Sequence, residues 1–127
     1  MWAVVGIVVY VSGTALSGAD LGGGIFERCN LRGAKLAGAK LNESLLSECD
    51  LSEAVLSQAS FHHTQLHRCA LAAAKLDRAK LAVTRILHCD ARGADFGGAE
   101  LVLAALSNDA LDGCSFAGAR IDRSVVL

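Results

Sequence analysis

A chain of 127 residues with a formal net charge of -1 and 53% apolar residues is long enough for one domain and too apolar for intrinsic disorder; no second domain is expected. Twelve basic residues against thirteen acidic ones exclude a strongly basic surface, so direct nucleic-acid binding is not expected. Five cysteines without the CxxC spacing of zinc sites, in a sequence with no evident secretory signal, read as reduced thiols, which makes a cytoplasmic location the expectation.

Residues 1–13 differ in kind from the rest of the chain. Positions 2–11 are nearly all apolar and rich in β-branched residues. No basic segment precedes them, as a signal peptide requires, and the run is about half the roughly 20 residues of a membrane span. Val9 and Val11 fall on the inward phases of the downstream repeat. Residues 1–13 are therefore expected to form an apolar N-terminal cap or imperfect first coil. A membrane or partner anchor, or a disordered leader, stays open beside that reading.

From residue 14 a five-residue beat takes over. Every fifth position from Leu16 to Val126 is apolar, 23 positions in one register, which neither a helix of period 3.6 nor a strand of period 2 produces. Two residues before each of these centres sits something small, such as Ala34, Cys49, Ala59, Thr64, Ala79 or Ala99. The other three phases are mostly polar or glycine. Two phases point inward and three outward, so Cys29, Cys49, Cys69, Cys89, Leu51, Phe61, Leu66 and Phe96 are assigned to the core.

A second period lies on the first. Cys29, Cys49, Cys69 and Cys89 recur every 20 residues, as do Ala34, Ala54, Ala74 and Ala94. Four pentads then make one turn of a four-sided coil, each coil stacked in register on the last by parallel-strand hydrogen bonds. Residues 14–127 make about six such coils.

Corners follow from glycine. Nine of the 13 glycines, Gly13, Gly18, Gly23, Gly33, Gly38, Gly93, Gly98, Gly113 and Gly118, occupy the last phase of a pentad, where a type II turn needs φ > 0. Pentads ending in Glu43, Glu48, Gln58, His63 or Arg68 lack that help and are expected to turn more loosely. Two inward positions break pattern. Ala91 is a small centre that calls for a leaning phenylalanine or a cavity, and Asp109 stands where the cysteine column should continue, so residues 107–113 are expected to be irregular.

The pattern of a small residue, Asp or Asn, then Leu or Phe, as in Ala19-Asp20-Leu21, Cys29-Asn30-Leu31, Cys49-Asp50-Leu51 and Ala94-Asp95-Phe96, resembles the pentapeptide-repeat family over about residues 14–127. The resemblance implies an all-β, right-handed quadrilateral parallel β-helix. Within the family, residues 88–96, His-Cys-Asp-Ala-Arg-Gly-Ala-Asp-Phe, are similar to a run in quinolone-resistance members. That implies a protein partner, DNA gyrase or topoisomerase IV, engaged by a surface imitating duplex DNA. The match lacks those members' projecting loops and C-terminal dimer segment.

The side that bears the cysteines carries Asp50, Glu53, Asp90 and Asp112 against Arg32 and Arg92, and is the candidate partner surface. Val83, Leu87, Val102 and Leu103 lie on outward phases near Val125, Val126 and Leu127, which makes homodimerisation through that end the expected self-association. The thiols read as core, and His62, His63, His67 and His88, beside Arg68 and Arg85, as a solvated patch. A filled convex coil offers no catalytic pocket, so no enzyme activity, metal or cofactor is expected. The function expected is that of a non-enzymatic interaction scaffold; the alternative is a structural or membrane-associated repeat protein tethered by its apolar N-terminus.

Overall fold

The computed structural model describes residues 3–4, 15–107 and 111–127. The described residues contain strands and turns and no helix. Strand β1 is Ala3–Val4, β2 Ile25–Glu27, β3 Leu45–Ser47, β4 Gln65–His67, β5 Arg85–Leu87, β6 Glu100–Val102, β7 Ala105–Leu106, β8 Arg120–Asp122 and β9 Val125–Val126. One sheet runs β1-β2-β3-β4-β5-β7-β9 with every pair parallel, and β6 pairs with β8 in a second.

The register confirms the longer period. Ile25 pairs with Leu45, Leu45 with Gln65, Gln65 with Arg85, Arg85 with Ala105 and Ala105 with Val125, so five full turns separate β2 from β9. The remaining sides stack through single parallel bridges in the same step, such as Lys35 to Val55 and Val55 to Lys75. The molecule is a right-handed quadrilateral parallel β-helix. Strand β1 departs from the step: Ala3 pairs with Ile25 and Val4 with Phe26. Those two residues pair in parallel with β2, while Val9, Val11 and most of the expected cap or anchor fall outside the described residues.

The centres fill the coil. Each one from Phe26 to Leu106 is buried, including Leu51, Phe61, Leu66 and Phe96, and Cys29, Cys49, Cys69 and Cys89 are buried with them. Removing one leucine side chain from water contributes roughly 1.5–3 kcal/mol before chain entropy is subtracted. Ala91 is buried, and Phe96 and Phe116 stack in the neighbouring column with ring centroids 4.9 Å apart.

Corners differ from expectation in an informative way. Eight glycines take φ of 65–73°, but Glu43, Gln58 and His63 take φ of 59°, 60° and 55° at the same phase. Their turns are closed as tightly as glycine corners: Ser44 N–H reaches the Leu41 carbonyl at 3.3 Å, Ala59 that of Leu56 at 3.0 Å and Thr64 that of Phe61 at 3.1 Å. The buried centres on either side impose the bend, overriding a left-handed penalty of roughly 1–2 kcal/mol per residue.

Arg28, Glu48, Arg68 and His88, which follow β2 to β5, do sit at wider bends with φ of 53–56°. The wider bend moves one side back at Leu103 and Arg123, after β6 and β8. That change of corner precedes the segment expected to be irregular, and Asp109 itself lies outside the described residues.

Candidate protein-interaction surface

The cysteine-bearing side is built from pentads whose first outward residue is often Asp or Asn. Asn30, Asp50, Ala70 and Asp90 form one column by successive parallel bridges. Each polar member has a structural task. The Asn30 Oδ1 accepts the Arg32 N–H at 3.1 Å, the Asp50 Oδ1 that of Ser52 at 2.9 Å and the Asp90 Oδ1 that of Arg92 at 3.2 Å. Asp20 and Asp95 do the same for Gly22 and Gly97 elsewhere. Such Asx turns offer the corner amide an acceptor and explain why a short carboxylate or amide recurs at this phase.

Two of the four candidate carboxylates are covered by cations. Arg92 clasps Asp90 through Nε–H to Oδ1 at 2.9 Å and a terminal N–H to Oδ2 at 2.6 Å. Those bonds hold the Asp90 carboxyl below the usual carboxylate range and raise the guanidinium. Arg32 reaches up one coil to Glu53 at 3.0 Å. Asp50 and Asp112 form no ion pair among the described residues. The side is thus a row of carboxylates interrupted by two arginines.

Under it runs the cysteine column, and its thiols do more than fill space. The Cys49 thiol donates to the Phe26 carbonyl at 3.4 Å, Cys69 to that of Leu46 at 3.4 Å and Cys89 to that of Leu66 at 3.6 Å. The Cys69 N–H in turn meets the Cys89 sulfur at 3.4 Å. These are the groups that the wider bends release. Burial pushes the Cys29 thiol up to about 11 and raises that of Cys114. The neighbouring thiols of Cys49 and Cys69 are coupled, which draws Cys49 down to about 7 and sends Cys69 upward. For that pair together the direction is upward, because both are buried and their sulfurs lie against the carbonyls of Phe26 and Leu46, which oppose a thiolate. Burial along the column disfavours the thiolate form.

The histidines lie on outward phases. His62 and His63 meet edge-on with ring centroids 6.0 Å apart, and His67 meets His88 of the next coil at 5.6 Å. Among the described residues no group of three His, Cys, Asp or Glu side chains is placed to hold a metal ion.

The expected self-association residues divide. Leu103, Val125, Val126 and Leu127 are half or more exposed and Val83 is 38% exposed, whereas Leu87 and Val102 are half-buried. Sequence reasoning missed the larger feature there. Leu101, Leu106, Leu111, Phe116, Ile121, Ser124 and Val126 line an apolar hollow of about 250 Å³. Most are centres, assigned inward by phase, and phase alone does not reveal which coil lacks a cover. No described helix is long and apolar enough to cross a membrane.

Comparison with known proteins agrees with this architecture. A family model described as a pentapeptide repeat region matches residues 19–96, more than half of the chain. No curated protein matches the sequence. Among solved structures, HetL, a pentapeptide repeat protein involved in heterocyst differentiation regulation in the cyanobacterium Nostoc sp. strain PCC 7120, is similar with a TM-score of 0.60 at 26% identity, over 85% of this chain and 57% of its own. This chain therefore spans little more than half of HetL. A trypsin-treated variant of QnrB1, a plasmid-mediated fluoroquinolone resistance protein, is similar in fold with a TM-score of 0.70 at 19% identity, over 97% of this chain and 69% of its own. The repeat model, the shared solenoid and the unbroken five-residue register converge, and the chain belongs to the pentapeptide-repeat family.

Proposed function

We propose that this protein is a non-enzymatic scaffold that presents its acidic, cysteine-bearing side to a protein partner in the cytoplasm, with type II topoisomerase, DNA gyrase or topoisomerase IV, as the specific candidate. The observation that carries the reading is the division of labour along each pentad: the inside is filled by Leu, Phe, Ala and Cys, and the outward phases are left to vary. A partner is then met by a surface whose charges the sequence sets independently of the fold. Asp50 and Asp112, uncovered at two levels of the stack, with Glu53 and Asp90 held by arginines, supply a graded negative surface for a site that otherwise receives duplex DNA. The run at 88–96, similar to the quinolone-resistance members, supports the choice of partner. The exposed Leu103, Val125, Val126 and Leu127 around the apolar hollow support homodimerisation through that end.

A supercoiling assay of gyrase, with and without a fluoroquinolone, tests the reading. Inhibition of the enzyme or its protection from the drug at micromolar protein is expected. Neither binding nor protection at that concentration removes the topoisomerase from consideration.

A further inference from the structure

The side of the coil that ends in β6 and β8 carries a column of alternating charge. Asp20, Lys40, Ser60, Lys80 and Glu100 stack by successive parallel bridges, and Glu100 pairs with Arg120. Ser60 is half-buried and the five charged residues are exposed. At about 4.8 Å per coil the column runs about 24 Å along the stack.

Little inside the chain answers these charges. Among the described residues Lys40, Lys80 and Glu100 take part in no ion pair. Asp20 accepts the Gly22 N–H at 3.0 Å, the Ser60 hydroxyl donates to the Asn42 Oδ1 at 2.6 Å, and Arg120 stands 4.0 Å from Asp122.

Taken in order, the column is negative, positive, neutral, positive, negative, positive. Turned end for end and laid on itself, it sets Asp20 opposite Arg120, Lys40 opposite Glu100 and Ser60 opposite Lys80, each pair occurring twice. Four ion pairs result, and no like charges meet. Sliding by one coil one way sets Lys40 on Lys80 and Asp20 on Glu100; sliding the other way sets Lys80 on its own copy and Lys40 on Arg120. Two copies running in the same direction would set Lys80 against Ala82 and Glu100 against Val102. One antiparallel register is therefore favoured over its neighbours.

The rest of the side accepts the same operation. Its second outward column runs from Gly22 through Asn42, His62, Ala82 and Val102 to Asp122. Reversed on itself, it sets Gly22 on Asp122, Asn42 on Val102 and His62 on Ala82, a small residue facing a larger one at two of the three levels. Gly38 and Gly98 form the preceding corner beside Lys40 and Glu100, where no side chain holds two such surfaces apart. At the following corner Glu43 meets Leu103 and His63 meets Val83, again without like charges.

We propose that this side is a self-association surface on which a second copy of the chain packs antiparallel, about a two-fold axis running across the coils, with Lys40 to Glu100 and Asp20 to Arg120 as the ion pairs between copies. A two-fold closes on itself, so the product is a dimer and not a filament. Exposed ion pairs contribute little singly; they fix the register and make the association sensitive to salt. The cysteine-bearing side lies two pentads round the coil, on the opposite face, and stays free in the dimer. This contact is independent of the topoisomerase reading and of the apolar end at Val125 to Leu127.

Sedimentation velocity of the full chain from about 10 to about 300 μM, in about 20 mM and about 500 mM salt, tests the contact. A dimer that forms at the lower salt and weakens at least roughly tenfold at the higher is expected. Lys40→Glu and Glu100→Lys should each weaken it by roughly tenfold or more, and Lys40→Glu/Glu100→Lys should restore it. Within one chain those positions stand three coils apart, so only the contact between copies couples them. Lys75→Glu, the same charge change on the neighbouring side, should leave the dimer, and circular dichroism checks each fold. A monomer throughout, a dimer indifferent to Lys40→Glu, or a double exchange no tighter than the single ones overturns the proposal. So does a dimer that Val125→Gln/Leu127→Gln alone abolishes, which places self-association at the end of the stack.

Discussion

The Thr64 hydroxyl donates to the Leu41 carbonyl of the coil below at 2.6 Å, and Thr84 repeats the bond to Phe61 at 2.6 Å. Ser44 reaches Leu21 at 3.1 Å and Ser124 reaches Leu101 at 2.9 Å by the same geometry. The small inward phase is therefore a hydrogen-bonding phase as well as a packing one. Its hydroxyls and thiols bind corner carbonyls that the ladder leaves with spare capacity.

Thr64→Val keeps the shape and removes that donor from a fully buried site. A loss of about 1–3 kcal/mol is expected from urea unfolding, with the m-value unchanged. No change in the midpoint would mean that packing alone selects this phase.

Leu66 is 1% exposed in the middle of the stack. Leu66→Ala should cost about 2–5 kcal/mol, and Leu66→Lys, which buries an unpaired cation, should abolish the β circular dichroism. A Leu66→Lys protein with the parent melting temperature would refute the inward assignment of the centres.

Thiol behaviour should follow burial. Cys29 is raised from 9.0 to about 11, so folding holds its proton more tightly than the unfolded chain does. The stability this contributes is complete below about pH 9 and lost as pH climbs to about 11. Urea midpoints should fall across that window, and less so in Cys29→Ser. An aromatic disulfide reagent at neutral pH should modify half-buried Cys114 first and the column only on unfolding.

Val83 is β-branched and takes φ of 54° at a corner. Val83→Asn, with a residue that tolerates the left-handed region, should raise stability by roughly 1 kcal/mol in thermal melts. A lower melting temperature would show that the Val83 side chain contributes more by packing than its backbone costs.

The fold was legible because period and phase are properties of sequence alone: the centres and the cysteine recurrence specify a four-sided stack before any coordinate. The corners at Glu43, Gln58 and His63 were misjudged because local preference was weighed without the force of stacking on either side. The candidate surface was legible as a set of charges on one side, but not as a set of pairs. Arg92 lies two residues from Asp90 and Arg32 lies 21 from Glu53, and only the turn and the coil spacing bring each guanidinium onto its carboxylate. The acceptor role of Asp50 in its own corner likewise depends on backbone direction. The hollow at Phe116 and Ile121 escaped notice because inward phase was equated with burial.

The most direct test of the scaffold reading is the affinity of immobilised gyrase for the parent protein and for Asp50→Asn/Asp90→Asn/Asp112→Asn. Asparagine keeps the Asx acceptor at the corners of residues 50 and 90 and removes charge at all three positions, so the melting temperature should stay close to the parent's. Binding by the parent at micromolar concentration or below, and binding weakened by roughly tenfold or more in the variant, is the predicted result. Equal affinity in the two proteins, or no binding by either, would contradict it.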